Sequence, residues 1–108
     1  LVLRIELEGG HDAQLEACSV GNVDLRSCHT RLPVVLSPGV LGVRLAKARV
    51  FHAALGKWER LIAFSDGISS RFEVSGVAEG APQAACELLL NERRRRHDDA
   101  TVAIIDVR

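Results

Sequence analysis

Apolar and polar residues alternate over the first seven positions. Leu1, Leu3, Ile5 and Leu7 fall on one side, with Arg4 and Glu6 opposite. That period predicts a half-buried strand. The run EGGHD then reads as a turn, its two glycines suited to positive φ. Alternation resumes over 13–20 and predicts the return strand of a hairpin. Val20-Gly21-Asn22 marks a kink, and 23–28 a third strand. Residues 31–46 carry Pro33, Pro38, Gly39 and Gly42 and read as a loop with one or two short extended pieces. A further strand is predicted over 49–55. After the turn GKWE comes a strand at 60–64 that is apolar on both faces, as in a strand inside a packed layer.

The second half changes period. Residues 68–72 read as a helical turn and 73–80 as loop. Pro82 suits the first position of a helix. Ala84, Ala85, Leu88 and Leu89 supply its apolar stripe, and it is expected to end near Arg96. A last strand is predicted over 99–107. Hairpins dominate and one long helix precedes the final strand, so the class is α+β with a mainly antiparallel sheet.

Composition narrows the function classes. With 108 residues, 47% hydrophobic and 26% charged, the chain can form one small domain with a core. Arg4 and Glu6 break the first strand, so no signal peptide is expected, and no apolar run reaches the ~20 residues of a membrane span. The chain contains no methionine and is read as a portion of a longer protein. Net charge is zero, which disfavours nucleic acid as the main partner. The run Arg93 to Arg96 is assigned to the last turn of the helix, where cations suit the dipole. Cys18, Cys28 and Cys86 are odd in number, the pattern of reduced thiols in a cytoplasmic protein. Cys28-His29 has no second ligand pair at zinc-finger spacing, and His11, His29, His52 and His97 are scattered.

Two stretches carry candidate chemistry. In LIAFSDGISSRF a core strand runs out at Ser65-Asp66-Gly67. In RHDDATVAIIDVR, Asp98 and Asp99 come just before a strand. If the two strands are antiparallel neighbours, Asp66 faces Asp98 or Asp99 at one edge of the sheet. Uncompensated carboxylates held together repel, and a bound divalent cation removes that cost. Oxygen ligands select Mg²⁺ or Mn²⁺ over zinc. Gly67, lacking a side chain, would let a metal, its waters or a substrate approach the backbone. The plain alternative is an ordinary Asp-Gly turn and an ordinary strand start. Ser65 does not read as a hydrolase nucleophile, because the elbow motif needs glycine two residues to each side and Ala63 stands on one.

Taken together, Ser65-Asp66-Gly67 and Asp98-Asp99-Ala100-Thr101, with a long helix between, resemble the end of the metal-dependent Ser/Thr phosphatases of the protein phosphatase 2C superfamily (PPM). The SpoIIE-like bacterial branch is the nearer likeness. SVGN and GVLGVRL resemble that family's glycine-containing strand end and Leu-Gly segment, so the likeness spans essentially the whole chain. It implies that residues 1–108 are the C-terminal portion of one such domain and part of an αββα sandwich. It implies two Mg²⁺ or Mn²⁺ ions in the complete domain, with Asp66 and Asp98 as metal ligands and Gly67 and Asp99 in support. The implied activity of the full-length parent is hydrolysis of phosphoserine or phosphothreonine on a regulatory protein, such as an anti-sigma-factor antagonist in a stress or sporulation switch. The family's Gly-Asp-Gly segment has no counterpart here, and EGGHDA does not match it. A catalytically inactive module that binds a regulatory partner is therefore the alternative, as is a small interaction domain whose acids only make turns. A sheet face left uncovered by a missing portion would favour a dimer or pairing with that portion.

Overall fold

The computed structural model describes residues 1–7, 12–34, 39–40, 44–45 and 48–108. Two three-stranded antiparallel sheets form the frame, so the fold is α+β. The first joins β1 (Val2–Leu7), β2 (Ala13–Cys18) and β6 (Val50–Leu55) in the order β1-β2-β6. The second joins β3 (Val23–Ser27), β7 (Arg60–Ser65) and β8 (Val102–Asp106) in the order β3-β7-β8. A separate pair links β4 (Gly39–Val40) to β5 (Arg44–Leu45), the short extended pieces expected in that stretch. The glycine turn expected at EGGHD falls on 8–11, outside the described residues, as does much of GVLGVRL.

The sheets meet face to face. Ala13, Leu15, Ala17, Phe51 and Leu55 from the first pack with Leu25, Leu61 and Ala63 from the second. The opposite face of the second sheet is covered by helix α1 (Pro82–Glu92) and a 3₁₀ turn at Val74–Val77. There Ile62, Phe64, Ile68, Phe72, Val77, Ala85 and Leu89 make a second core. Among the described residues the layering is thus sheet, sheet, helix. Strand β7 sits at the centre and is buried along both faces, as its sequence predicts. Each of its large side chains contributes roughly 1.5–3 kcal/mol of burial.

Several expectations need correction. The helix stops at Glu92, not near Arg96. Beyond the Arg93 cap the chain pairs with the segment after β7: Ser69 N–H donates to Arg93 O at 2.8 Å, and Arg95 N–H to Gly67 O at 2.7 Å. Those bonds satisfy the backbone that a further helical turn would have used. The same pairing, with a bridge between Ile68 and Arg94, replaces the helical turn expected at 68–72. The helix stripe is also shifted by one residue. Ala85 and Leu89 are buried, whereas Ala84 and Leu88 are exposed. Leu7 ends its strand beyond the facing sheet and is 69% exposed. Strand β8 begins at Val102 and lies at the sheet edge, half-buried rather than enclosed.

The end of the second sheet away from Asp66 is held by ions. Arg60, 5% exposed, makes a two-pronged bond to Asp106, with Nε–Oδ1 at 2.6 Å and Nη2–Oδ2 at 2.8 Å. It also donates to the carbonyls of Val77 (2.9 Å) and Gly80 (2.7 Å), which pins the approach to α1. The neighbouring Glu59 carboxylate accepts from His29 N–H, Thr30 Oγ1 and Arg60 N–H at 2.9–3.0 Å. Trp58 N–H donates to Val107 O, and Val107 N–H to Glu59 O, so two residues oppose one in a β-bulge. Trp58 holds the bulge with φ +68°, where glycine is favoured.

Candidate metal centre

The two acidic stretches meet. Strands β7 and β8 are antiparallel neighbours, with Phe64 opposite Val102. One step further, Ser65 N–H donates to Thr101 O and Thr101 N–H to Ser65 Oγ, both at 3.0 Å. Ser65 is thereby occupied as a clasp between the strands. At Gly67 the chains come so close that a Cβ would strike the Asp99 carbonyl oxygen. It would stand 2.8 Å from that carbonyl carbon and 3.0 Å from Ala100 Cα. The glycine is required there, but for a different reason than expected. Its bare side is filled by the Asp99 backbone and is not open to a metal or substrate.

The carboxylates are then placed as follows. Asp66 follows β7 and is exposed, and its Oδ1 accepts from Asn22 Nδ2 at 3.1 Å. Register explains the partner: β3 pairs with β7 from Val23 opposite Ser65, so the next residue outward on β3 faces the next on β7. Asp98 and Asp99 are exposed at the same end. Asp98 sits in a tight turn in which its N–H donates to Arg95 O (3.3 Å) and its carbonyl accepts from Arg94 Nε (3.0 Å). His97 takes φ +68° to make that turn.

A cavity of about 230 Å³ opens beside Asp66, lined by Asn22, Asp24, Phe64, Ser65, Asp66, Ile68, Ser70 and Arg95. Asp98 and Asp99 do not line it. Sequence reasoning missed Asn22, Asp24 and Arg95. The available signal was SVGN, a strand start that puts polar side chains beside the end of β7. Asp24 is partly committed, its Oδ1 accepting Leu25 N–H at 2.8 Å. The floor is stiff. Arg26 stacks over Phe72 (4.8 Å) and Phe64 (5.5 Å), and donates to the carbonyls of Ser70 and Phe72. These contacts fix the loop that follows Asp66.

The donor set suits a hard cation. Asp66 offers a carboxylate that Asn22 orients, and Asp98 stands exposed at the same end of the sheet. Mg²⁺ commonly takes one or two carboxylates and keeps water in its other positions. Among the described residues no three acidic, histidine or cysteine side chains converge as a closed cage. No helix is long and apolar enough to cross a membrane. Comparisons with known proteins gave no match: no family model, no curated protein and no solved structure is significantly similar to the chain.

Proposed function

We propose that this chain is the C-terminal portion of a PPM-type, SpoIIE-like phosphatase domain that binds Mg²⁺ or Mn²⁺ at Asp66 and Asp98. The observation that carries the reading is the convergence of Ser65-Asp66-Gly67 with Asp98-Asp99-Ala100-Thr101 at one end of the β7–β8 pair. Those are the two motifs on which the resemblance rests. The acids are exposed, so they are accessible to a hydrated ion.

Each residue has a separate task in this reading. Asp66 and Asp98 give oxygen ligands from the two strand ends. Asn22 holds the Asp66 carboxylate in one orientation through its 3.1 Å bond. Gly67 and the Asp99 backbone set the spacing between the two ends, and the Asp99 side chain supports the site. An ion held by Asp66 and Asp98 would supply a water acidified to near-neutral pH, the nucleophile needed for attack on phosphorus. No covalent nucleophile on the protein is needed, in keeping with Ser65 being used in the clasp. The substrate of the full-length parent is a phosphoserine or phosphothreonine on a regulatory protein, such as an anti-sigma-factor antagonist, and the setting is cytoplasmic.

The test uses calorimetry and hydrolysis together. The chain should bind Mn²⁺ weakly and Asp66→Asn should abolish binding. The full-length parent should hydrolyse a phosphoserine peptide, and Asp66→Ala should remove that activity. A parent without Mn²⁺ binding and without hydrolysis would overturn the reading in favour of an inactive partner-binding module.

A further inference from the structure

The four arginines are not equivalent. Because the helix ends at Glu92 and Arg93 caps it, Arg94 is the residue bridged to Ile68, and Arg95 N–H reaches Gly67 O. In an extended segment successive side chains point to opposite sides. Arg94 turns one way, its Nε donating to Asp98 O. Arg95 turns the other way and lines the cavity beside Asp66. Its backbone N–H is fixed to Gly67 O at 2.7 Å, so its position is tied to the acid's own turn.

Arg95 therefore shares the lining of one cavity with the acids Asp24 and Asp66. Opposite charges so close would normally pair. Yet among the described residues Arg95 forms no ion pair with Asp66 or Asp24 within 4.0 Å. A gap of this kind fits a ligand that touches both signs: an anion whose oxygens take the guanidinium on one side and a carboxylate-held cation on the other. A phosphoryl group has that chemistry, and arginine presents a planar fork that matches it. Ser70 adds a hydroxyl to the same wall. At about 230 Å³ the space is below the ~300 Å³ at which small-molecule pockets begin. It admits a phosphoryl group with some water, not a nucleotide.

We propose that Arg95 anchors the phosphoryl group of a phosphomonoester in this cavity, and that the rest of the substrate lies outside it. This rests on the metal-site reading above, with Arg95 as a substrate-binding residue for the same centre.

The experiment titrates the chain with inorganic phosphate and with a phosphoserine peptide, with and without Mg²⁺, following backbone amide shifts by NMR. Mg²⁺ affinity is measured separately by calorimetry. Arg95→Ala should weaken phosphate binding about tenfold or more while leaving Mg²⁺ affinity unchanged. Arg95→Lys should recover only part, since an ammonium cannot reproduce the fork. Arg96→Ala serves as the control for general charge and should bind as the unaltered chain does. Equal losses in Arg95→Ala and Arg96→Ala, or no shift of the cavity amides on adding phosphate, would overturn the assignment. If phosphate binds through Arg95 but Mg²⁺ does not bind, the anion site stands and the metal reading alone fails.

Discussion

Replacing Arg60 tests the energetics of the second sheet most directly. The Arg60 side chain is 6% exposed and that of Asp106 16%. Arg60→Ala removes both prongs of that pair and the donors to Val77 O and Gly80 O. What remains is a mostly buried carboxylate without its cation and two carbonyls without partners. Breaking a buried pair in this way costs about 3–5 kcal/mol. A domain of this size has ~5–15 kcal/mol in total. At about 4–8 °C per kcal/mol for a small domain, the midpoint should fall by at least roughly 12 °C. Thermal and urea unfolding by circular dichroism would read this. Arg60→Lys should recover little, because one ammonium cannot reach Asp106 and both carbonyls. Replacing both partners by apolar residues, Arg60→Met with Asp106→Leu, should restore much of the loss, since most of the penalty is the orphaned charge. A loss below about 1 kcal/mol for Arg60→Ala, with an unchanged urea slope, would refute the reasoning. It would put the pair in the range of an exposed salt bridge.

Other outcomes follow from the same geometry. The Arg60 hydrogen bonds hold the Asp106 carboxyl below its usual range against the opposing effect of burial. Burial raises Glu59, but hydrogen bonds from His29 N–H, Thr30 Oγ1 and Arg60 N–H outweigh it and leave that carboxyl lowered too. Both groups are depressed in the folded state, so their stabilisation is present above the unfolded carboxylate values of about 4 and is lost as pH falls through the folded ones. The midpoint should be flat above about pH 5 and drop below it; an unchanged midpoint at pH 3 would refute this. Gly67→Ala should destabilise by about 2 kcal/mol or more, since the new methyl meets fixed backbone, and urea unfolding would show it. Trp58→Gly should leave the midpoint equal or higher, as relief of about 1–2 kcal/mol of left-handed strain exceeds glycine's extra unfolded entropy; a fall of more than about 5 °C would show that the indole packs after all.

Periodicity alone was enough for most of the strands. Alternation located β1, β2 and β6, and the two-sided apolar run singled out β7 as central. The approach of the Ser65-Asp66-Gly67 turn to the Asp98-Asp99 stretch, seen at Gly67 and the Asp99 backbone, was legible because antiparallel neighbours bring the end of one strand beside the start of the other. The helix phase was not. Ala84-Ala85 and Leu88-Leu89 offer two adjacent stripes, and only packing against the second sheet selects Ala85 and Leu89. The helix end was also hidden. Arginines propagate a helix well, and the backbone partners that stop it lie far away at Gly67 and Ser69. The buried Glu59, Arg60 and Asp106 gave no local sign, because their partners are scattered from His29 to Gly80. Asn22 and Asp24 reach the candidate site through strand register, which no single segment encodes.

The close contact of Gly67 with Asp99 has an architectural consequence. The chain departs from the sheet at Gly67 and returns beside the same point at Asp99, so everything from Ile68 to Asp98 is a closed excursion with a fixed doorway. Closing such a loop costs entropy that rises only slowly with its length. The excursion could therefore lengthen, shorten or be exchanged for another helical cover without moving Asp66. The replacement must keep an apolar side for Ile62 and Phe64 and carbonyl partners for Arg26 and Arg60. Asp66 and Asp99 at the doorway belong to the frame, while the helix is a removable panel.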